Sequence, residues 1–422
     1  MLTGLKAWLW LTRRLDCGPA WQVLRYFGTP EKAYFADPAE YALISKLSPA
    51  QRKLLADKSL RDADEILARC DANRIRILTW QDSAYPERLR NIDLPPLVLY
   101  VRGALPRFDE EIAIAMAGTR KATPYGRKVA AELAFQITRL GGLVLTGIVE
   151  GCDRYAADGA LKAGGPLVCV LAGGVDVPYY NSDDNRRLLE DVAACGALIS
   201  EYPPGSPHLP DHFARRNRLL TGLSLGALCV EAPLRSGTLG VARLALEQGR
   251  DVYAVPANID AEAGAGTNRL LAQGEAICVC SGADVLEHYW SLYPQRRAGR
   301  PPLSQREQAQ RLAVSGAGTP AVSAPSAPTP SEHTSPAPSA PSAPVQTGPS
   351  RTLRLSDHKS EFTDDELAVL RALEEGALVT DAIVARSGLP ARRVSATLTV
   401  LTIRSLVRQL PGGRFEALVK LT

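Results

Sequence analysis

Nowhere does this chain run unbroken through the roughly 18 apolar residues that a membrane-spanning helix needs. The apolar stretch Gly4-Leu-Lys-Ala-Trp-Leu-Trp-Leu-Thr12 meets Arg13 and Arg14 at once, without a small-residue cleavage site, so no secretory leader is expected. The expectation is a soluble, cytoplasmic protein without a membrane partner. The eight cysteines include no C-x-x-C pair. Cys278 and Cys280 would share one side of a strand, but no histidine or further cysteine stands at zinc-ligand spacing. Most of the eight lie in apolar runs and read as small buried hydrophobes. Aromatic residues are only 6% of the chain, which argues against a long base-stacking platform. A net charge of +4 over 422 residues does not by itself announce a nucleic-acid partner, so that argument must come from local clusters.

Several catalytic signatures are missing as well. The pattern G-x-x-x-x-G-K-[ST] is absent, so ATP hydrolysis is not expected. The five histidines (His208, His212, His288, His333 and His358) belong to no evident Ser-His-Asp or Cys-His set. The reading is a non-enzyme with no catalytic residue, metal or cofactor.

What is present is a clear change of pattern along the chain. Residues 1–78 carry apolar residues at helical spacing, broken by Cys17-Gly-Pro19, Gly28-Thr-Pro30 and Ser48-Pro49, which predicts a small helical domain. A connector with Leu94-Pro-Pro96 and a strand-like run at 97–102 leads into a domain spanning 79–294. There strands predicted at 112–117, 143–146, 167–171, 197–201, 227–231, 251–255 and 276–279 alternate with helical patterns. Continuous apolar strands in β-α-β order predict a doubly wound, mostly parallel α/β sheet of extended Rossmann-like type. Residues 295–358 are rich in Pro, Ala and Ser and cannot bury enough apolar surface to offset their ordering entropy, so a disordered linker is expected. Residues 359–422 predict helices at 363–374, 380–386 and 391–404 and then a hairpin around Leu410-Pro-Gly-Gly-Arg-Phe415, the order of a winged helix. Its Arg392, Arg393, Arg404 and Arg414 fit either DNA contact or a solvated protein-docking face.

Five segments at predicted strand ends carry the chemistry. Gly118, Thr119, Arg120 and Lys121 follow a buried strand and open a helix, which suits a phosphate or other anion. No G-x-G-x-x-G occurs there, and no acidic residue ends strand 143–146, so a dinucleotide site is disfavoured. Gly147 and Gly151 leave room for a ligand to approach the backbone at a strand's carboxyl end, and Asp153 after them serves either the site or merely the cap of the next helix. Gly173 and Gly174 are expected to leave space and free N–H groups beside the sheet. Phe213 is placed to stack on a base, while Arg216, Asn217 and Arg218, with Arg215, span one helical turn and cannot all face one way. Ser236, Gly237 and Thr238 put hydroxyls and N–H groups at a helix start. All five segments fall on one predicted edge of one sheet.

These motifs resemble the DNA-processing protein A (DprA, or Smf) family in order and spacing. The matching residues are Gly118–Gly126, Thr146-Gly with Gly151-Cys-Asp153, Gly173-Gly-Val-Asp176, Asn185-Arg-Arg-Leu188, Ser200-Glu-Tyr-Pro-Pro-Gly205, Arg216-Asn-Arg218, Glu231-Ala with Ser236-Gly-Thr238, and Val255-Pro256 with Gly266-Thr-Asn268. The resemblance covers nearly everything outside the linker. It implies a sterile-alpha-motif-like helical domain, an extended Rossmann domain and a winged helix. It further implies a homodimer that binds single-stranded DNA and hands it to a RecA-type recombinase during natural transformation. Arg120, Lys121, Arg216 and Asn217 match the family's phosphate-gripping positions. This chain departs from the family's usual residues in having Thr119 for Ser, Asp158 where His is common, Tyr179-Tyr180 for Tyr-Pro, and Ala257 for Gly. Two other readings compete. Arg235-Ser-Gly-Thr-Leu-Gly-Val-Ala242 looks distantly like the motif of nucleotide phosphoribohydrolases, but Val241 or a neighbour fills the place of their catalytic glutamate. The winged helix could instead make the chain a regulator bound to duplex DNA.

Overall fold

The structure, a computed structural model, describes residues 2–148, 150–180, 182–299, 351–353, 362–374, 376–403, 406–410 and 414–421. They belong to two units, 1–319 and 320–422. Most of the expected linker lies outside the described residues, as do His333, His358, Arg404 and the 411–413 turn.

The first unit opens with helices α1 (Gly4–Arg14), α2 (Cys17–Phe27), α3 (Pro30–Phe35), α4 (Pro49–Ala56) and α5 (Arg61–Ala72). The turn signals in the sequence act as helix starts. Thr29 and Ser48 accept N–H bonds from the first turns of α3 and α4, each with proline inside the start, and Gln51 completes a capping box with Ser48. Next come β1 (Ile75–Thr79), the one-turn α6 (Glu87–Arg90) and β2 (Val98–Gly103). Strand β1 falls in a stretch assigned to helices and connector by its sequence. Its Ile75-Arg-Ile77 alternation is too short to stand out, and pairing with β2, Ile77 opposite Tyr100, makes it a strand.

The alternating region then follows: β3 (Ala113–Ala117), α7 (Pro124–Arg139), β4 (Leu143–Thr146), α8 (Cys152–Lys162), β5 (Leu167–Val170), α9 (Asp183–Cys195), β6 (Ala197–Ser200), α10 (Pro210–Gly222), β7 (Gly226–Cys229), α11 (Gly237–Glu247), β8 (Asp251–Ala254), α12 (Ala265–Ala272), β9 (Ile277–Cys278) and α13 (Gly282–Leu286). Each lies within a few residues of its expected position. One nine-stranded sheet results, in the order β1-β2-β6-β5-β4-β3-β7-β8-β9. Strands β3 to β9 are parallel, and β1 and β2 extend the β6 edge antiparallel.

Alternate residues of the central strands feed two cores. Ile114, Met116 and Leu198 pack with α7, α8, α9 and the N-terminal helices through Ala134, Ala157, Val192, Trp8 and Leu11. Ala115, Val168 and Ala227 pack with α10 and α11 through Leu220 and Ala245. The chain leaves β3 toward β4 on one side and leaves β7 toward β8 on the other. The β3/β7 junction is therefore the topological switch point, where loops at the carboxyl ends diverge and open a crevice.

Five cysteines are buried and Cys17 is half-buried, but Cys278 and Cys280 are exposed. Cys278 lies in the two-residue strand at the sheet edge and Cys280 just beyond it, rather than on one side of a longer strand. No helix among the described residues is long and apolar enough to cross a membrane.

The second unit has helices Asp364–Ala372, Thr380–Ser387 and Ala391–Ile403 around a core of Val369, Leu370, Ile383, Val394 and Leu398. Val407–Leu410 and Arg414–Ala417 form an antiparallel pair, joined by Leu378–Val379, and Arg351–Leu353 lies parallel to Val419–Leu421. This is a winged helix. Arg393 forks onto the Asp365 carboxylate and Arg408 pairs with Glu416.

Helices α7 and α8 touch closely because Gly159 has no side chain: a Cβ there would lie 2.1 Å from the Ala131 carbonyl oxygen. Gly159→Val is expected to push the two helices apart and cost about 2 kcal/mol or more, as overpacking does. Thermal and urea denaturation should both report the loss.

Candidate nucleic-acid interface

Beyond the ends of β3 and β7 the backbone stays zipped. Val230 N–H donates to the Ala117 carbonyl (3.0 Å) and Thr119 N–H to the Glu231 carbonyl (2.8 Å). The buried Glu231 carboxylate then receives Thr123 N–H (2.9 Å) and the Thr123 hydroxyl (2.7 Å). Thr123 in turn caps α7 by accepting Gly126 N–H. A Cβ at Gly126 would sit 2.3 Å from that carboxylate, so the position requires glycine. Glu231 thus fixes the loop that carries Arg120 and Lys121. Its motif was visible in the sequence, but its bracing role depends on a contact 108 residues away in the chain.

The crevice is a cavity of about 320 Å³. Of the expected site residues, Gly118, Thr119, Arg120, Lys121, Phe213, Arg216, Asn217, Ser236, Gly237 and Thr238 all line it. So do Asp153, for which the sequence left site and helix cap both open, and Arg235 and Val241, which were not among the expected site residues. Arg120, Lys121 and Arg235 are exposed at the rim. Ser236 caps α11 by accepting Thr238 N–H, and the first N–H groups of α11 beside it have no acceptor within the helix. Gly118 is glycine for packing: a Cβ would lie 2.4 Å from that of Cys152. The N–H groups of Gly118, Thr119 and Lys121 are taken by Asp153, Glu231 and the Thr119 hydroxyl, so this loop offers cationic side chains rather than free backbone donors.

Arg216 forms the floor. It is 4% exposed, its Nε has no hydrogen-bond partner, and its guanidinium lies against Gly147, where a Cβ would be 2.2 Å from Nη1. What approaches the Gly147 backbone is therefore this side chain, not a ligand. Opposite stands Asp153. It is not the cap of α8, a place Gly151 holds, but a buried acid accepting Gly118 N–H at 3.3 Å. Burial pushes its pKa up to about 6, against the pull of Arg216, the Gly118 N–H and Arg120. Burial also lowers the pKa of Arg216, with Asp153 opposing.

Four expected residues do not reach the cavity: Gly147, covered by Arg216, and Gly173, Gly174 and Arg218. Gly173 and Gly174 are covered by residues 203–208: Gly174 N–H donates to the Ser206 carbonyl, and a Cβ on Gly173 would meet that oxygen at 2.9 Å. The space foreseen beside them is filled by the protein's own chain. Arg218 projects to the other side of α10, where it pairs with Glu201 and donates to the Leu94 carbonyl; Arg215 pairs with Asp16. Helical periodicity separates these two from Arg216. The departures at Asp158 and Ala257 also lie off the cavity. Asp158 pairs with Arg154, and the Asn268 side chain holds both Ala257 N–H and C=O.

An aromatic rim adjoins the cavity. Arg120 sits 4.4 Å over the Phe213 ring and 5.8 Å from Tyr179, whose hydroxyl it reaches at 3.3 Å. His208 packs beside both rings and is fixed through the Val177 carbonyl at 2.9 Å.

Fold and site together define a doubly wound α/β protein of Rossmann type with a cationic crevice at its switch point. Residues 76–290 match the family model for DNA recombination-mediator protein A, and residues 334–413 match that of the DprA winged helix domain. The chain is 34% identical to DNA processing protein DprA of Bacillus subtilis over 222 residues, covering 53% of this chain and 74% of that protein. Protein Smf of Synechocystis is 27% identical over 415 residues, covering 97% and 98%. The X-ray structure of DNA processing protein A from Streptococcus pneumoniae superposes with a TM-score of 0.59 at 27% identity, covering 68% of this chain and 98% of that one. This chain belongs to the DNA recombination-mediator protein A (DprA/Smf) family.

Asp153 gives the crevice a pH dependence of definite sign. The folded protein favours the protonated acid, so the associated stability is complete below pH 3.8 and is lost as pH rises through about 6. Anion binding follows the same direction, because an ionised Asp153 repels a phosphate. Affinity for an oligonucleotide should rise as the pH falls from 7 to 5.5. Asp153→Asn should bind at pH 7 as wild type does at the lower pH and lose most of this dependence. His208, whose pKa burial lowers, remains in the variant and accounts for any residue of the effect. Fluorescence anisotropy across this range measures both.

Proposed function

We propose that this protein binds single-stranded DNA through the crevice at the β3/β7 junction and takes part in DNA processing by protecting the strand and delivering it to a RecA-type recombinase. The observation that carries the reading is Arg216: a buried guanidinium whose Nε has no hydrogen-bond partner, on the floor of a cavity rimmed by Arg120, Lys121 and Arg235. A buried guanidinium that is not fully hydrogen-bonded is costly even with Asp153 opposite it, and an incoming phosphate relieves that cost. Phosphates are held by these side chains and by the start of α11, Asn217 lies on the same wall, and Phe213 offers a ring to one base. Such contacts read no base edge, so binding is sequence-tolerant. Homodimer formation and recombinase delivery rest on membership of a recombination-mediator family. Two copies side by side would hold one strand with the gain of effective concentration.

The role is binding rather than catalysis. Val241, an apolar residue, lines the cavity where a phosphoribohydrolase-type enzyme would need its acid, and Asp153 is engaged with the Gly118 N–H. Release of free base from nucleoside monophosphates would overturn this.

Each phosphate neutralised on a single strand contributes about 0.7 to the slope of log affinity against log salt. Arg120→Ala with Lys121→Ala should therefore flatten the slope by roughly 1.4 and weaken binding alike for all sequences. Arg215→Ala, outside the cavity, should change neither. An unaltered slope in the double variant would show that the strand lies elsewhere.

A further inference from the structure

Resting on the strand-binding reading, we infer a second station beside the phosphate crevice, where Tyr180, backed by Tyr179, stacks on a nucleobase of the bound strand. The β5–α9 loop places the two rings 4.4 Å apart at an interplanar angle of 64°. Tyr179 is held from behind. Its ring meets Phe213 at 5.6 Å and His208 at 5.6 Å, both nearly edge-on, and Arg120 donates to its hydroxyl. Tyr180 remains 49% exposed in front of this support.

In a chain poor in aromatic residues, a ring held this way on a cavity rim is placed for contact rather than for the core. The rings are continuous with the crevice, because Arg120 and Phe213 belong to both. A strand whose phosphate lies against Arg120 and Arg216 carries its bases outward, toward this rim. Stacking accepts any base but requires a base, and that property separates this station from the phosphate grip.

The test compares the intact chain with Tyr180→Ala and Tyr180→Phe, titrated with oligothymidine and with an abasic strand of equal length. Wild type should bind oligothymidine more tightly than the abasic strand. Tyr180→Ala should weaken oligothymidine about fivefold or more, the low end for one base–aromatic stack, while leaving the abasic strand unchanged. Tyr180→Phe should retain wild-type affinity. A 2-aminopurine in the strand should be quenched on binding wild type and less so on binding Tyr180→Ala. Matching thermal melts establish that the variants fold. Equal loss on both strands, or loss on neither, overturns the station. If wild type binds the two strands equally with a steep salt dependence, the phosphate grip stands and the station falls. If wild type binds neither strand, both fall together.

Discussion

The crevice depends on one buried carboxylate. Glu231 continues the β7 strand past the sheet and, through its carbonyl and both carboxylate oxygens, gathers Thr119 and Thr123 of the neighbouring β3 loop. Three hydrogen bonds, two of them to a charged group, converge on a residue shielded from water, where such bonds are strong and local motion is small. The loop so held carries Arg120 and Lys121, which are long and mobile and would otherwise make poor binding elements. Because Thr123 also caps α7, the loop, the helix and the strand end move as one body.

On this frame a nearly neutral protein concentrates charge. The net +4 of the whole chain is too diffuse to attract a polyanion, but four cationic residues and a single acid line one small cavity. The acid does not cancel the field in a fixed way. Burial raises its pKa, whereas the guanidinium facing it stays charged. The floor is thus a cation braced by glycine packing at Gly147 and by no hydrogen bond at Nε. The cost of this unmet donor is borne because the two cores on either side of the sheet lock β3, β4 and β7 in place.

Helix α10 shows how a single element divides labour. Phe213, Arg216 and Asn217 turn toward the crevice, while Arg215 and Arg218 turn toward Asp16 and Glu201. One face meets the ligand and the other ties the helix to the N-terminal region. Loss of Arg218 would disturb packing first, since its partner Glu201 is itself shielded and its carboxyl is pushed up by burial.

The sequence by itself determined the fold class, the seven parallel strands and the switch-point loops, because buried strands and amphipathic helices leave strong periodic patterns and each loop follows its strand directly. It also singled out ten of the residues that line the crevice. Only the tertiary structure decided that Arg216 is buried while Arg218 braces, that Gly173 and Gly174 are covered by residues 203–208, and that Asp153 faces the cavity rather than capping a helix. The same holds for the joining of Glu231 to Thr123, of β1 to β2, and of Tyr179 to Phe213. All of these are contacts between segments far apart in the chain. Local pattern says which way a residue faces along its own helix or strand, but what stands opposite it is fixed by how the chain closes in space.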